Sequence, residues 1–314
     1  MIGSTSRYAV LFRVHFWDDF AERQYQRLRA KARNADLFIL VNETDGTVPI
    51  PHRNKVSFTE KDLLALGLSG AGYNGMVWYN GDYPLYYFYE RYPDYDYYIV
   101  SDYDVLVQRD LDDVVDRLAR ESIDYVGLTR AGEFSTWPHT HTVRGVYPEE
   151  MIQKQLICLV MYSNRCVRRL LGRRRELSQM YSAGQLDAWP YCEAFIPTEV
   201  AMAGLKAEEL TRFGPCDHCH AGPAILESDL ARHAEQGFLH PVLDASRFVE
   251  RTFTRLSDVR KLRRVPVRFF ARPLGRMFWQ RVTARVAKLR GAAGKRDPHR
   301  ELNALTDGGP WSVP

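Results

Sequence analysis

The chain has 314 residues, of which 45% are hydrophobic, 26% charged and 12% aromatic. This length and composition allow a sizeable core and exclude a disordered or fibrous protein. The sequence has no run of about 18 uncharged apolar residues, so no transmembrane helix is expected. Residues 1–19 lack the apolar stretch and the small-residue cleavage site of a secretory signal, so a cytoplasmic location is expected.

The net charge of +4 is distributed unevenly along the chain. Residues 1–250 contain 27 Lys and Arg against 35 Asp and Glu, whereas residues 251–296 contain 15 against one. This asymmetry predicts two parts, an acidic domain over residues 1–250 and a basic extension over residues 251–314. Five cysteines in a chain of this length do not indicate a disulfide framework, so reduced thiols are expected.

In the basic extension, Phe, Trp, Leu and Val are interspersed among the arginines. This pattern is typical of an amphipathic helix that lies on an anionic membrane surface, and it favours peripheral association with the inner face of a membrane. A solvated helix packed on the body is the alternative. Nucleic acid is not expected as a partner, because no recognised motif is present and the acidic body would repel a polyanion.

Apolar runs and capping residues predict alternating strands and helices. Strands are predicted over residues 8–14, 37–41, 97–100, 105–107, 123–128 and 156–162. Helices are predicted over residues 18–32, 83–91, 165–180 and 197–205, with a further helix after residue 110. The long segment 130–150, rich in Pro, Gly, His and Thr, is predicted to be a loop. Strands alternating with helices at this spacing predict an α/β domain with a parallel sheet.

Two carboxylates follow the apolar strand predicted over residues 97–100. Asp102 and Asp104 are one residue apart, at a strand end where α/β sheets bind ligands. A turn there would let both side chains converge on a cation, and oxygen ligands suit Mg²⁺ or Mn²⁺. A divalent ion of this kind can neutralise a diphosphate. The alternative is that both carboxylates form or cap a turn.

The sequence around these carboxylates carries a second feature. Asp82 is at the N-cap position of the helix predicted over residues 83–91, and the strand that follows that helix ends in the Asp-x-Asp motif of residues 102–104. This arrangement resembles the nucleotide-sugar half of GT-A fold glycosyltransferases. The resemblance implies a GT-A-like mostly parallel sheet flanked by helices, a divalent cation and a nucleotide-sugar donor.

The same resemblance implies roles for individual residues. Asp82 would help to hold the nucleoside, Asp102 would contact the ribose or the metal, and Asp104 would ligate the metal. Tyr103 is assigned to the donor-binding site. For Asp82, a plain helix N-cap is the alternative interpretation.

Two further residues are assigned through the resemblance. His240, after a short apolar run, looks like the C-terminal His that completes the metal shell in GT-A enzymes, with His233 as the nearest competitor. Glu193 resembles the acidic residue that acts as general base in inverting members, and its apolar surroundings would raise the pKa of its carboxyl. Asp187 and Glu199 are the next candidates for the base. The alternative interpretations are a packed His and a carboxylate at the start of a helix.

Two motif matches are set aside. Residues 70–75 fit the dinucleotide pattern G-x-G-x-x-G, but they follow a helical segment instead of a first strand. Residues 216–220 match the C-x-x-C-H haem pattern and contain zinc-ligand types. Haem attachment requires export, and no second ligand pair has the spacing for zinc, so a loop stabilised by local hydrogen bonds is expected.

The sequence therefore predicts a metal-dependent glycosyltransferase. It would move a sugar from a nucleotide-diphosphate donor to a hydroxyl of a glycan or lipid-linked acceptor, in cell-surface polysaccharide synthesis. A sugar nucleotidyltransferase is the enzymatic alternative, although its glycine-rich loop is replaced after the first strand by residues 15–18, His-Phe-Trp-Asp. A non-catalytic membrane-peripheral adaptor is the alternative from another class.

Overall fold

The chain folds into strands and helices that a computed structural model describes for residues 6–72, 75–130, 132–256, 276–277, 279–281 and 283. The strands are β1 (Tyr8–Val14), β2 (Asp36–Asn42), β3 (Lys55–Phe58), β4 (Tyr97–Asp102), β5 (Leu106–Val107), β6 (Tyr125–Thr129), β7 (Gln155–Ser163), β8 (Ala207–Glu209), β9 (Ile225–Leu226), β10 (Phe238–Leu239) and β11 (Val242–Leu243). The helices are α1 (Asp19–Arg29), α2 (Glu60–Leu64), α3 (Met76–Tyr79), α4 (Tyr83–Tyr89), α5 (Leu111–Glu121), α6 (Asn164–Ser182), α7 (Cys192–Met202) and α8 (Ala245–Leu256).

Seven of these strands form one sheet in the order β3-β2-β1-β4-β7-β6-β8. The first four are parallel to one another, and β6 is parallel to β8. Strand β7 lies between β4 and β6 and is antiparallel to both. The prediction of an α/β fold with a mostly parallel sheet flanked by helices is confirmed, whereas β3 and the reversed direction of β7 were not predicted.

The sheet is buried on both faces. Successive side chains of a strand point to opposite sides, and in β1 they enter two different hydrophobic clusters. Ala9 and Leu11 pack with helices α4, α6 and α7 on one face. Val10 and Phe12 pack on the other face with residues of α1 and α5. The continuous apolar run of β1 is therefore explained by burial on both sides.

Polar caps set the ends of several helices where the sequence predicted them. Asp18 accepts hydrogen bonds from the first backbone amides of α1, and Asp110 does the same for α5. Helix α7 differs from the prediction of a helix over residues 197–205, because it begins five residues earlier and contains Pro197 in its interior. The segment 130–150 contains short 3₁₀ turns at Phe134–Thr136, Thr140–Thr142 and Glu149–Met151.

The chain divides into two compact units, residues 1–221 with 233–241, and residues 222–232 with 242–314. The predicted boundary at residue 250 lies inside α8, and most of the predicted basic extension falls outside the described residues. No helix in the described part of the chain has the length and apolar composition needed to cross a membrane. All five cysteines are free thiols, as predicted.

Candidate functional site

The candidate site lies at the carboxyl ends of the neighbouring strands β1 and β4. The parallel register pairs Arg13 of β1 with Asp102, the last residue of β4. The guanidinium Nε of Arg13 donates to Asp102 Oδ1 over 2.8 Å. Arg13 also donates to the carbonyl of Gly81, before α4, and to that of Ile157 in β7. Arg13 therefore connects β1, the segment before α4 and strand β7 to the first carboxylate of the Asp-x-Asp motif.

Strand pairing brings Asp104 and His240 together. β10 is antiparallel to β5, with Leu239 opposite Leu106. His240 directly follows β10 and Asp104 precedes β5, so the pairing places the two side chains at the same end of this short ladder. His240 Nε2 is 3.5 Å from Asp104 Oδ1, and both residues are 7% exposed. The predicted partners are thus neighbours although 136 positions separate them in the sequence.

The orientation of His240 is suited to binding a cation. Its Nδ1 lies 2.8 Å from the carbonyl oxygen of His220, so Nδ1 carries the proton and donates it. In the neutral ring the lone pair is then on Nε2, which faces Asp104. A carbonyl that fixes the second ring nitrogen is the usual support of a metal-binding His. Burial opposes charging of His240, but the neighbouring acidic groups, Asp104 foremost among them, together raise the pKa of the imidazole.

The loop of residues 216–220 positions His240. The backbone N–H of His240 donates to the carbonyl of His218, and the N–H of His220 donates to the carbonyl of His240, each over 3.1 Å. The C-x-x-C-H segment therefore acts as a backbone frame for the metal-ligand candidate. The sequence did not indicate this role, because the two segments are twenty residues apart.

Local hydrogen bonds hold the loop of residues 216–220. Cys216 and Cys219 are buried, the N–H of Cys219 donates to the carbonyl of Cys216, and the Cys216 thiol donates to the carbonyl of Gly214. In the described ranges, no three His, Cys, Asp or Glu side chains are grouped closely enough to hold a metal ion by themselves. The expected loop with local hydrogen bonds is confirmed.

Aromatic rings border the Asp-x-Asp motif. Tyr103 makes edge contacts with His15 and Phe16, at centroid separations of 5.6 and 4.9 Å. Residues 15–18 directly follow β1, so a ring cluster stands where a nucleotidyltransferase would have its glycine-rich loop. Rings of this kind suit stacking on a nucleobase.

The structure places Asp82 in a buried ion pair. Its carboxylate receives two hydrogen bonds from Arg174 of α6, at 2.7 and 3.1 Å, and both side chains are at most 1% exposed. Asp82 precedes α4, but its side chain makes no capping hydrogen bond, so the alternative of a plain N-cap is wrong. Because the Asp82 carboxylate is buried, it would contribute to a nucleoside site only by fixing the position of the backbone at the start of α4.

Replacing Asp82 with Ala should lower the free energy of unfolding by about 3 kcal/mol, because Arg174 would remain buried without its counter-ion. Urea unfolding followed by circular dichroism measures this loss. Glu90→Ala is the matched control, since it removes an exposed ion pair of the same helix with Arg175 and should cost less than about 1 kcal/mol. Equal stabilities of the Asp82→Ala variant and the wild type would contradict this assignment.

Glu193 lies in the first turn of α7 and is 5% exposed. Arg130, just after β6, donates to its Oε2 atom. Burial raises the pKa of the Glu193 carboxyl, as its apolar surroundings predicted, and the positive charges of Arg130 and His240 oppose the rise. His240 is thus close enough to act on Glu193 electrostatically. The structure brings the predicted base and the predicted metal ligands into one region.

The competing residues lie elsewhere or are engaged differently. Glu199 lies in the second half of α7, where it is buried and accepts a hydrogen bond of 2.9 Å from Arg173 of α6. His233 packs its ring against His218, at a centroid separation of 4.6 Å. Asp187 is exposed in the segment before α7. These positions favour Glu193 and His240 over the alternatives.

The G-x-G-x-x-G match of residues 70–75 follows a helical segment and not a strand, as predicted. It connects α2 with α3, and residues 73 and 74 fall outside the described residues. The amide of Asn80 donates to the carbonyl of Ala71 over 3.0 Å. The segment therefore packs against the start of the tyrosine-rich helical region.

No family model and no curated protein matches this sequence. Among solved structures, the chain is similar to a glycosyltransferase involved in the glycosylation of the major capsid of PBCV-1, at 12% identity and a TM-score of 0.36, over 74% of this chain and 92% of that one. It is also similar to the bifunctional glycosyltransferase WbbM in its apo form, at 12% identity and a TM-score of 0.41, over 76% of this chain and 46% of that one.

Proposed function

We propose that this chain is a metal-dependent glycosyltransferase of the GT-A type. It would transfer a sugar from a nucleotide-diphosphate donor to a hydroxyl of a glycan or lipid-linked acceptor. The observation that carries the proposal is the pair of Asp104 and His240, whose side chains face each other just beyond β4. The charge of His240 also acts on the buried carboxyl of Glu193. Cell-surface polysaccharide synthesis is the process that we favour.

The residues present fit a divalent cation. Asp104 supplies a carboxylate oxygen and His240 an imidazole nitrogen, a mixed set that suits Mn²⁺ better than Mg²⁺. Phosphate oxygens of the donor and water molecules would complete the coordination, as is common where a protein offers one or two ligands. When bound, the ion would stabilise negative charge on the departing diphosphate. Asp102, held by Arg13, would assist through the ribose or through groups around the ion.

Glu193 would act as general base in an inverting displacement. Its carboxylate would take the proton of the acceptor hydroxyl while the hydroxyl oxygen forms a bond with the anomeric carbon. The bond from that carbon to the diphosphate breaks, and its electron pair leaves with the nucleoside diphosphate. A buried carboxylate with a raised pKa is a stronger base than an exposed one, which favours this role.

Arg130 sets the pH range of this base. Glu193 acts as a carboxylate, and the Arg130 cation opposes the rise that burial causes in its pKa. Replacing Arg130 with Met should therefore raise that pKa further, and the acid limb of the kcat/KM profile should move to higher pH. Arg130→Lys keeps the charge and should leave the limb near its wild-type position. An unchanged limb in the Met variant would contradict the base assignment.

Thermal stabilisation by nucleotides tests the proposed donor site. UDP and GDP would each be added to the full chain with and without Mn²⁺. A nucleotide at 100 times its dissociation constant should add about 2.7 kcal/mol of stability. Metal-dependent stabilisation by one nucleotide supports the proposal and identifies the base of the donor. Failure of both nucleotides to stabilise the folded protein would overturn it.

The basic extension would bring the site to a membrane. Residues 251–296 carry 15 Lys and Arg against one acidic residue, and each basic residue near an anionic surface contributes about 1 kcal/mol to binding. In the small part of the extension that is described, Arg276, Trp279 and Arg281 are exposed. Such an extension suits an enzyme that meets lipid-linked glycans at the inner face of a membrane.

A further inference from the structure

Four aromatic rings form a cluster that the proposed donor site does not use. Trp78 of α3 packs on Tyr191 at a centroid separation of 5.2 Å, with ring planes tilted by 31°. His139 packs on Tyr191 at 4.4 Å and lies 5.9 Å from Trp78. Trp137 is behind them, 5.1 Å from His139. We call Trp78, Trp137, His139 and Tyr191 the aromatic platform.

The platform exposes mainly the ring of Trp78 and packs it against buried rings. Trp78 is 49% exposed, whereas Tyr191 and Trp137 are 4% and 5% exposed. Leaving half of an indole in water forgoes the stabilisation that its burial would give. The exposed ring is nevertheless held by the ring contacts beneath it. This combination is typical of a surface that binds a ligand with an apolar face.

The platform adjoins the predicted base. Tyr191 immediately precedes α7, whose first turn carries Glu193. The thiol of Cys192, between these two residues, is 4.0 Å from the backbone carbonyl oxygen of Trp78. Arg130, which pairs with Glu193, is also close enough to lower the pKa of His139. A ligand resting on Trp78 would therefore lie in the same region as Glu193, the proposed proton acceptor.

The chemistry of the platform favours a sugar ring. The C–H face of a hexopyranose is apolar and packs on an indole, while its hydroxyls project sideways to polar groups. Burial, Arg130 and His141 lower the pKa of His139 to about 4, so its ring is neutral near pH 7 and does not select an anion. The neighbouring Glu193 carboxylate, paired with Arg130, would accept a hydroxyl proton.

We propose that the aromatic platform is the acceptor subsite, in which a hexopyranose ring of a glycan stacks on Trp78 and offers a hydroxyl to Glu193. This inference rests on the proposed glycosyltransferase function and narrows the acceptor to one whose attacked hydroxyl belongs to a sugar. Trp78 is a binding residue in this assignment, and Tyr191 and His139 are positioning residues that hold its ring.

Saturation-transfer NMR on the full chain tests the assignment. The probes are methyl β-D-glucopyranoside, methyl β-D-galactopyranoside and methyl α-D-mannopyranoside, each with Mn²⁺-free buffer to avoid paramagnetic broadening. At least one glycoside should receive saturation on its ring protons. Trp78→Ala should weaken that binding about fivefold to tenfold, and Trp78→Phe should restore most of it. Trp279→Ala removes another exposed tryptophan, 60% exposed, and should change nothing.

Two results would overturn the subsite. One is that no glycoside binds to the wild type; the other is equal binding in the wild type and the Trp78→Ala variant. Nucleotide stabilisation of the same variants separates this failure from failure of the proposed function. If nucleotides stabilise every variant while glycosides ignore Trp78, only the acceptor subsite is wrong. If glycosides need Trp78 but no nucleotide binds, the platform is a sugar-binding surface without transfer, and the acceptor assignment is overturned with the enzyme.

Discussion

Asp104→Asn should reduce kcat/KM for sugar transfer about 10³-fold, because it removes a ligand of the divalent cation that would stabilise negative charge on the departing diphosphate. The substitution keeps the size of the side chain and removes the anionic oxygen that faces His240 Nε2 at 3.5 Å. Metal-dependent stabilisation by the nucleotide should disappear with the activity. Initial rates with Mn²⁺, together with melting curves in the presence and absence of nucleotide, measure both effects.

Asp94→Asn is the matched control for this substitution. Asp94 is an exposed carboxylate in the loop that leads into β4, so the variant removes one negative charge at the opposite end of that strand from the site. It should retain wild-type rates and nucleotide stabilisation. An Asp104→Asn protein that binds nucleotide with unchanged metal dependence would show that Asp104 is a turn residue only.

Glu193→Gln should lower the rate of transfer about 10²-fold to 10⁴-fold, the usual contribution of a positioned general base. The amide keeps the shape of the side chain and cannot accept the acceptor's proton. Because Glu193 does not hold the donor in this account, nucleotide stabilisation should be close to that of the wild type. Single-turnover transfer assays with saturating donor separate this loss in chemistry from a loss in binding.

Glu199→Gln offers a close comparison for Glu193→Gln. Both residues are buried glutamates of α7, and each pairs with an arginine. The Glu199 substitution should lower thermal stability, since it leaves Arg173 with less neutralising charge, and it should spare the transfer rate. Equal rate losses in the two variants would indicate a general effect on α7 and would remove Glu193 from the mechanism.

The parts of the site that sequence reasoning could predict are those with a local signal. Asp102 and Asp104 follow an apolar strand, and Glu193 stands out as a charge among apolar residues. Arg13 and Arg130 were missed, because their partners lie 89 and 63 positions away. A charge inside the otherwise apolar run of β1 was the available signal for Arg13. The role of Arg13 can be inferred only when the β1–β4 register is known, because that register places Arg13 opposite Asp102.

The fold shows the same division between local and distant information. Long apolar runs located β1, β4 and β7, but β3 is only four residues long and mostly half-buried, so its pattern was weak. The direction of β7 depends on pairing with β4 and β6, which no local pattern encodes. Pro197 led to a predicted helix start, because Pro favours the first turn. In the structure it lies inside α7, four residues after Glu193.

A crystal structure with Mn²⁺ and the nucleoside diphosphate that stabilises the protein would test the proposed metal site directly. Anomalous diffraction at the manganese edge locates the ion independently of the protein density. We expect an anomalous peak in coordination contact with an Asp104 carboxylate oxygen, His240 Nε2 and the diphosphate. A nucleotide and ion bound away from Asp104 and His240 would contradict the proposed metal site.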